Sequence, residues 1–375
     1  MEVVVSRPSA YKAVANISMS QGQTFEVYIE ADTILSHLDD GWIFLLIPAC
    51  MKTGENLHVN GRVTQSALNS SQAIQNQLLL GHPNLKKISI TSAEIVHEPD
   101  FESNTSRRIG SFFSGGVDST YTALVLGAKS TLVSVWGFDI PSTDESHWLL
   151  SLEQMKQFAS THGYKLIVVK TNIREFSNQY LDWGFDYFGS ALGGVASMLS
   201  KRLSVMHIPG SFNEDYVFWG SFPSLDSSFS TSYQEVLDHG LETRIAKVHY
   251  LAQKKSAAAI RVCWQNKTGK TNCGSCSKCK RTRLEFHIVN AAFRPAGLEA
   301  PPTRIDLITM KVSKTDLILL SDDLSWAKAN LESKTVQIQI LLRMARVRTY
   351  MRFKVAGFIP RPIKNLLGSI RIQDR

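Results

Sequence analysis

The sequence predicts an α/β protein built on a doubly wound parallel sheet, with a β-rich region before it and a helical extension after it. Between residues 106 and 290, short apolar runs alternate with segments of helical periodicity, which is the rhythm of βαβ units. Residues 1–105 instead carry a series of short β-branched runs. We therefore expect three domains: a β-rich domain at 1–105, the α/β domain at 106–290 and a helical basic extension at 291–375.

The N-terminal region contains six runs of strand composition and one segment of helical composition near Ser71–Leu80. The predicted strands are Glu2–Val5, Ala13–Met19, Thr24–Ile29, Trp42–Ile47, Leu57–Val63 and Lys87–Ser92. Its polar residues are scattered, so we expect no catalytic cluster there.

The central region continues as alternating strands and helices. Strands are predicted at 109–113, 131–139, 164–170 and 204–208, and helices at 119–126, 145–162 and 191–203. This alternation predicts a parallel sheet with right-handed crossovers, and ligands of such sheets bind at the carboxyl ends of the strands. The segment after the first strand, Asp139 and the loop at 210–215 would all lie on that edge.

The segment after the first strand is suited to binding a pyrophosphate. It consists of Ser114, Gly115, Gly116, Val117, Asp118, Ser119 and Thr120. The glycines let successive N–H groups approach an anion, and the helix that follows adds its positive end. The hydroxyls are donors, and the carboxylate of Asp118 suits Mg2+. For an isolated Gly-Gly-x-Asp, an ordinary strand–helix corner without a ligand is the alternative.

The full string resembles the SGGxDS signature of the PP-loop, or N-type, ATP pyrophosphatases, which have a Rossmann-like HUP fold. The resemblance implies that residues 114–120 bind the phosphates of ATP and that the products are an adenylated substrate and pyrophosphate. We add Phe113, which ends the strand, and Asp139, which ends the next one, to the expected ATP-binding set.

Four of the five cysteines, Cys263, Cys273, Cys276 and Cys279, form a C-x9-C-x2-C-x2-C pattern. Four thiolates complete a tetrahedral zinc site and leave no position for water, so we expect a structural Zn2+. The usual iron–sulfur motif has a further cysteine shortly after the closely spaced three, and none follows Cys279 in this sequence. A redox pair remains an alternative, since any C-x2-C can form one.

The cysteine segment, read as Cys-Gly-Ser-Cys-Ser-Lys-Cys and followed by Arg281 and Arg283, is similar to that of 7-cyano-7-deazaguanine synthase. The resemblance covers about residues 107–285 and implies a structural zinc and an ATP-dependent, C–N bond-forming ligase. Lys247 occupies the place of a lysine that this family carries, and Arg244 and Lys247 are candidates to steady the transferring phosphate. Surface exposure is the alternative for both. Three segments depart from the family pattern: the N-terminal region 1–105, the basic C-terminal tail and residues 219–230.

These observations predict an enzyme that adenylates a carboxylate or amide, followed by attack of ammonia or another nitrogen nucleophile. One alternative is a modifier of a protein or nucleic acid, of the kind expected in natural-product or antiphage systems. An ATP-dependent sulfurtransferase is disfavoured, because a zinc site would leave only Cys50 for sulfur transfer. A nucleotide-binding regulator without turnover is the third alternative.

The net charge of +8 resides in the C-terminal tail, since residues 341–375 carry nine basic side chains and one acidic one. Ile340, Met344, Val347 and Met351 would form one face of a helix, either docked on the body or in contact with a membrane surface or nucleic acid. Residues 1–105 and 341–375 could thus bind a protein or nucleic-acid partner. No signal peptide or membrane span is apparent, so we expect a cytoplasmic protein. The sequence does not fix the oligomeric state, and a homodimer is one option.

Overall fold

The computed structural model describes residues 1–98, 108–211, 220–265, 269–311 and 313–330, together with 337, 340, 343 and 344. The chain forms two compact units. The first unit comprises residues 1–114 and 118–241, and the second comprises residues 115–117 and those from 242 onward. Neither boundary coincides with the expected divisions at residues 105 and 290.

The first unit is built on one mixed sheet of ten described strands. They are β1 (Glu2–Ser9), β2 (Lys12–Ser18), β3 (Thr24–Ala31), β4 (Leu57–Thr64), β5 (Ile90–Val96), β6 (Ile109–Phe112), β7 (Thr131–Trp136), β8 (Lys165–Thr171), β9 (Val205–Pro209) and β10 (Glu235–His239). Their order is β10-β9-β6-β7-β8-β3-β2-β1-β4-β5. The protein is therefore α/β, as expected.

The helices of the described residues alternate with these strands in the first unit and form most of the second. They are α1 (Asp40–Thr53), α2 (Gln65–Gly81), α3 (Val117–Leu126), α4 (Glu145–His162), α5 (Ile173–Ser177), α6 (Phe188–Met198), α7 (Pro223–Ser228), α8 (Arg244–Ala252), α9 (Ser277–Ile288), α10 (Arg304–Thr309) and α11 (Lys314–Asn330). None of these helices is long and apolar enough to cross a membrane.

The strand order reverses at β6. From β6 the chain moves outward through β7 and β8, and then returns to place β9 and β10 on the other side of β6, all in parallel pairings. Such a reversal leaves a crevice at the carboxyl ends of the two central strands, where open α/β sheets bind their ligands. The loops after β6 and β9 border that crevice.

The central strands β6 to β10 pair in parallel, as expected, but the sheet as a whole is mixed because the N-terminal strands join it. Strands β1, β2 and β3 pair antiparallel with one another, and β3 also pairs antiparallel with β8, with Ile29 opposite Thr171. Consequently the N-terminal strands extend the central sheet instead of forming a sheet of their own. They cover the edge of β8, whose unpaired backbone groups would otherwise be open.

The predicted strand Trp42–Ile47 is part of helix α1, so that prediction is wrong. Nearly every residue of α1 is buried, and a continuous apolar run fits a buried strand as well as a buried helix. Helix α1 packs closely on α6: a Cβ on Gly194 would lie 2.3 Å from Leu45 Cγ and 2.9 Å from the Gly41 oxygen. The small residues of α6 therefore allow the two helices to approach.

Two of the helix predictions are confirmed in large part. Helix α4 has the expected bounds, and α2 contains the expected segment but begins earlier, where the Thr64 side chain accepts a hydrogen bond from the Ala67 amide. Helices α10 and α11 confirm helical structure after residue 291. In the expected amphipathic tail helix, Ile340, Arg343 and Met344 are buried, whereas residues 341, 342 and 345–375 lie outside the described residues.

Candidate active site and metal centre

The glycine loop, residues 113–116, connects β6 directly to α3. Gly115 has a φ of +72°, a left-handed conformation that favours glycine. The Ser114 amide donates a hydrogen bond to the Ser119 hydroxyl at 3.3 Å, and the two hydroxyl oxygens are 3.4 Å apart. These contacts fold the loop back on the first turn of α3. The chain therefore makes the strand–loop–helix turn that the motif requires.

The loops after β6 and β9 meet at the crevice where the strand order reverses. Asp118, in the first turn of α3, accepts a hydrogen bond from the Ser211 hydroxyl at 3.4 Å. Ser211 follows β9, the parallel neighbour of β6. A carboxylate is thus held at the carboxyl edge of the sheet, beside the glycine loop. Residues 212–215 of the predicted edge loop lie outside the described residues.

The remaining predicted ATP-binding residues divide into buried and exposed ones. Phe113 and Val117 are buried, and the Phe113 ring stacks on Phe158 with 4.9 Å between centroids. Their side chains therefore belong to the core, and only their backbone can face a ligand. Thr120 is also buried, whereas Asp139 is exposed just beyond the carboxyl end of β7.

In the second unit, Arg244 and Lys247 lie on α8 and both are buried, so surface exposure is wrong for both. Arg244 Nε donates to the two carboxylate oxygens of Glu285 on α9, at 3.0 and 3.1 Å, and an Nη donates to Thr282. Arg281 Nε lies 3.5 Å from the same carboxylate. The Arg244 guanidinium therefore ties α8 to α9.

The four cysteines come together in the second unit, as predicted. Their Sγ atoms all lie within 4.8 Å of one another, and three of the four residues are buried. A zinc–sulfur bond of about 2.3 Å in a tetrahedral site places sulfurs about 3.8 Å apart. The Cys273 and Cys279 sulfurs are already 3.9 Å apart. This cluster could hold a metal ion such as zinc.

Backbone amides point at two of these sulfurs. The amides of Ser275 and Cys276 donate to Cys273 Sγ at 3.4 and 3.3 Å, and the Cys279 amide donates to Cys276 Sγ at 3.4 Å, which caps α9. A hydrogen bond from the Cys279 thiol lowers the pKa of Cys276 to about 5 and raises the pKa of Cys279. Donors aimed at sulfur favour thiolates, the form that binds metal.

The basic residues after the cysteines are paired with acids from the C-terminal helices. Arg283 Nη1 lies 3.1 Å from Asp306 Oδ2 on α10, and Arg281 pairs with Asp316 on α11. Sequence reasoning missed these acids and Glu285, because nothing in their spacing marks them as partners. The basic stretch is therefore largely neutralised within its own unit.

A pair of aspartates, Asp226 on α7 and Asp238 on β10, was also missed. Asp226 is fully buried, and its Oδ2 accepts a hydrogen bond from Ser221 at 2.7 Å. Burial, and then the charge of Asp238, raise the pKa of Asp226 well above its ordinary value. Asp238 also approaches Gly210, where a Cβ would lie 2.3 Å from its Oδ1. The two acids lie on different elements, α7 and β10, and no recognised motif marks them as a pair.

No protein-family model matches the chain, and no curated protein or solved structure shows significant similarity to it.

Proposed function

We propose that the protein is an ATP-dependent ligase that adenylates a carboxylate or amide and releases pyrophosphate. The observation that carries the proposal is the position of the Ser114–Thr120 string. It lies at the reversal of the strand order, with Gly115 left-handed and Asp118 bonded to Ser211 of the neighbouring loop. This is the position at which α/β sheets bind nucleotides, and the string carries anion donors and an acid.

Each part of the loop has a role in the proposed reaction. An oxygen of the substrate attacks the α-phosphorus of ATP, the bond from that phosphorus to the α,β-bridging oxygen breaks, and that oxygen leaves with pyrophosphate. The amides around Gly115 and Gly116 and the hydroxyls of Ser114 and Ser119 hold the departing phosphates. Asp118, oriented by Ser211, fits Mg2+, which would neutralise charge on those phosphates. Ammonia then displaces AMP from the activated carbon.

Arg244 and Lys247 have different roles in this proposal. Arg244 positions helix α8 against α9, because its guanidinium donates hydrogen bonds to Glu285 and Thr282. Lys247, fully buried on the same helix, remains the candidate for charge near the phosphates. The four cysteines serve as a structural Zn2+ site, since a closed set of four thiolates offers no open position.

A nitrogen nucleophile is favoured over sulfur by the state of Cys50. It is fully buried, and burial raises the pKa of its thiol to about 12. Such a thiol is almost wholly protonated at neutral pH and is a poor carrier of persulfide sulfur. With the other four cysteines on the metal, sulfur transfer would need an external carrier.

The test is ATP–pyrophosphate exchange against a panel of carboxylates that includes 7-carboxy-7-deazaguanine. We expect one panel member to support exchange in the wild type, and Asp118→Asn to reduce it by about 100-fold or more. Asp144→Asn is the matched control, because Asp144 also sits at a helix N-terminus, that of α4, and asparagine caps equally well. ATP binding with no pyrophosphate release for any substrate would contradict the enzyme and favour a regulator.

A further inference from the structure

A chain of hydrogen bonds within the second unit joins the cysteine cluster to Gly115. The Arg261 amide donates to the Gly115 carbonyl oxygen at 2.8 Å. Arg261 lies two residues before Cys263, the first cysteine of the cluster. The backbone that delivers a metal ligand therefore also holds the loop.

Asn272, which directly precedes Cys273, fixes that backbone. The residue is only 4% exposed, and its side chain makes four hydrogen bonds to main-chain groups. Oδ1 accepts from Val262 N at 2.8 Å and Cys263 N at 3.2 Å, and Nδ2 donates to Ile260 O and Ala296 O, both at 2.9 Å. One buried amide thus fastens residues 260–263 to the cysteine-rich turn.

Holding the Gly115 carbonyl also directs the next amide. In a trans peptide the C=O and the following N–H point in opposite directions, so a fixed Gly115 oxygen fixes the direction of Gly116 N–H. Two adjacent glycines would otherwise sample many backbone conformations. The Arg261 contact therefore selects the peptide orientation of an amide that the proposed function assigns to phosphate.

We propose that Asn272 is a positioning residue that transmits the geometry of the metal centre to the phosphate loop. With metal bound, the four thiolates hold residues 263 and 273 at a fixed separation, and Asn272 passes this constraint to Arg261 and Gly115. Metal occupancy then sets the affinity of the loop for the triphosphate of ATP. The inference rests on the proposed function in taking ATP as the ligand.

The test compares Asn272→Ala with a matched control, Asn172→Ala. In the first unit, Asn172 likewise bridges main-chain groups, accepting from Tyr28 N at 3.0 Å and donating to Glu26 O at 2.9 Å. Each variant is loaded with Co2+, whose thiolate charge-transfer absorption reports the metal centre, and its Mg·ATP affinity is measured by calorimetry. We expect Asn272→Ala to keep the absorption and to raise the Kd for ATP about tenfold or more, and the control to keep both.

Wild-type ATP affinity in a metal-loaded Asn272→Ala protein would overturn the proposal. Loss of metal and ATP together would also overturn it, because Asn272 would then only maintain the cluster. Hydrogen exchange on the wild type supplies a measurement that needs no variant. Removing the metal with a chelator should speed exchange at the Arg261 amide and across residues 115–117 by tenfold or more, and unchanged exchange there contradicts the coupling. A wild type that fails to bind ATP refutes the proposed function, whereas the exchange result still judges the coupling.

Discussion

The Glu285→Ala substitution should lower the free energy of unfolding, because it removes the carboxylate that pairs with the buried guanidinium of Arg244. Glu285 is fully buried, and both of its oxygens accept from Arg244, which is 6% exposed. Deleting one partner of a buried ion pair costs about 3–5 kcal/mol, because the remaining charge is left without a counter-ion. A second acid, Asp323, is buried near this pair, and burial and then the charge of Glu285 raise its pKa. Its ionisation would offset part of the cost, so we expect about 3 kcal/mol.

A loss of about 3 kcal/mol corresponds to roughly a hundredfold increase in the unfolding constant. Urea denaturation followed by circular dichroism measures it. Glu30→Ala is the control, because Glu30 forms an exposed ion pair with Lys12 at 3.3 Å, and its removal should cost less than about 1 kcal/mol. Arg244→Met with Glu285→Leu should recover most of the stability, since apolar replacements of a buried pair are often neutral.

Two results would refute this reasoning. One is a Glu285→Ala protein within about 1 kcal/mol of the wild type, which would mean that Arg244 finds another counter-charge. The other is a double variant as unstable as the single one. A double variant that regains stability but not ATP turnover would mean that Arg244 contacts the reacting phosphates directly. It would contradict a role limited to holding α8 against α9.

Three further predictions concern the acid pair, the metal and a turn. The folded chain holds the proton of Asp226 more tightly than the unfolded chain does, so stability should fall as pH rises above about 4. Asp226→Asn should flatten that dependence in denaturation curves at pH 5 and pH 8. Elemental analysis should find one zinc per chain, and Cys276→Ser should lose it and lower the Tm, whereas Cys50→Ser should retain it. Gly137→Ala should lower stability by more than about 1 kcal/mol in thermal denaturation, since Gly137 has a φ of +104° and a Cβ there would lie 1.8 Å from the Thr171 oxygen.

Local patterns predicted the elements whose signals are themselves local. Helix α4 has an N-cap at Asp144 and a left-handed Gly163 at its end, and both residues are visible in the sequence. The cysteine cluster was likewise predictable, because ligand spacing is a property of a short segment. Helix α1 was not, since burial on all sides removes the periodicity that separates helix from strand.

Long-range partners could not be read from the sequence. The pairing of β3 with β8 joins residues about 140 positions apart, and only the tertiary fold selects that neighbour. Glu285 meets Arg244 across 41 positions, and Asn272 reaches Ile260 by a side-chain bond that no motif encodes. The sequence therefore predicted the glycine loop and the cysteine cluster as candidates, but not the residues that hold them in place.

The most direct test of the central claim is calorimetric titration of the metal-loaded protein with Mg·ATP. We predict one site per chain, and a Kd weakened about tenfold or more by Asp118→Ala and by Gly116→Ala, with Asp144→Asn unchanged. Absence of binding by the wild type, or equal binding by the loop variants, would contradict the assignment of residues 114–120 to ATP.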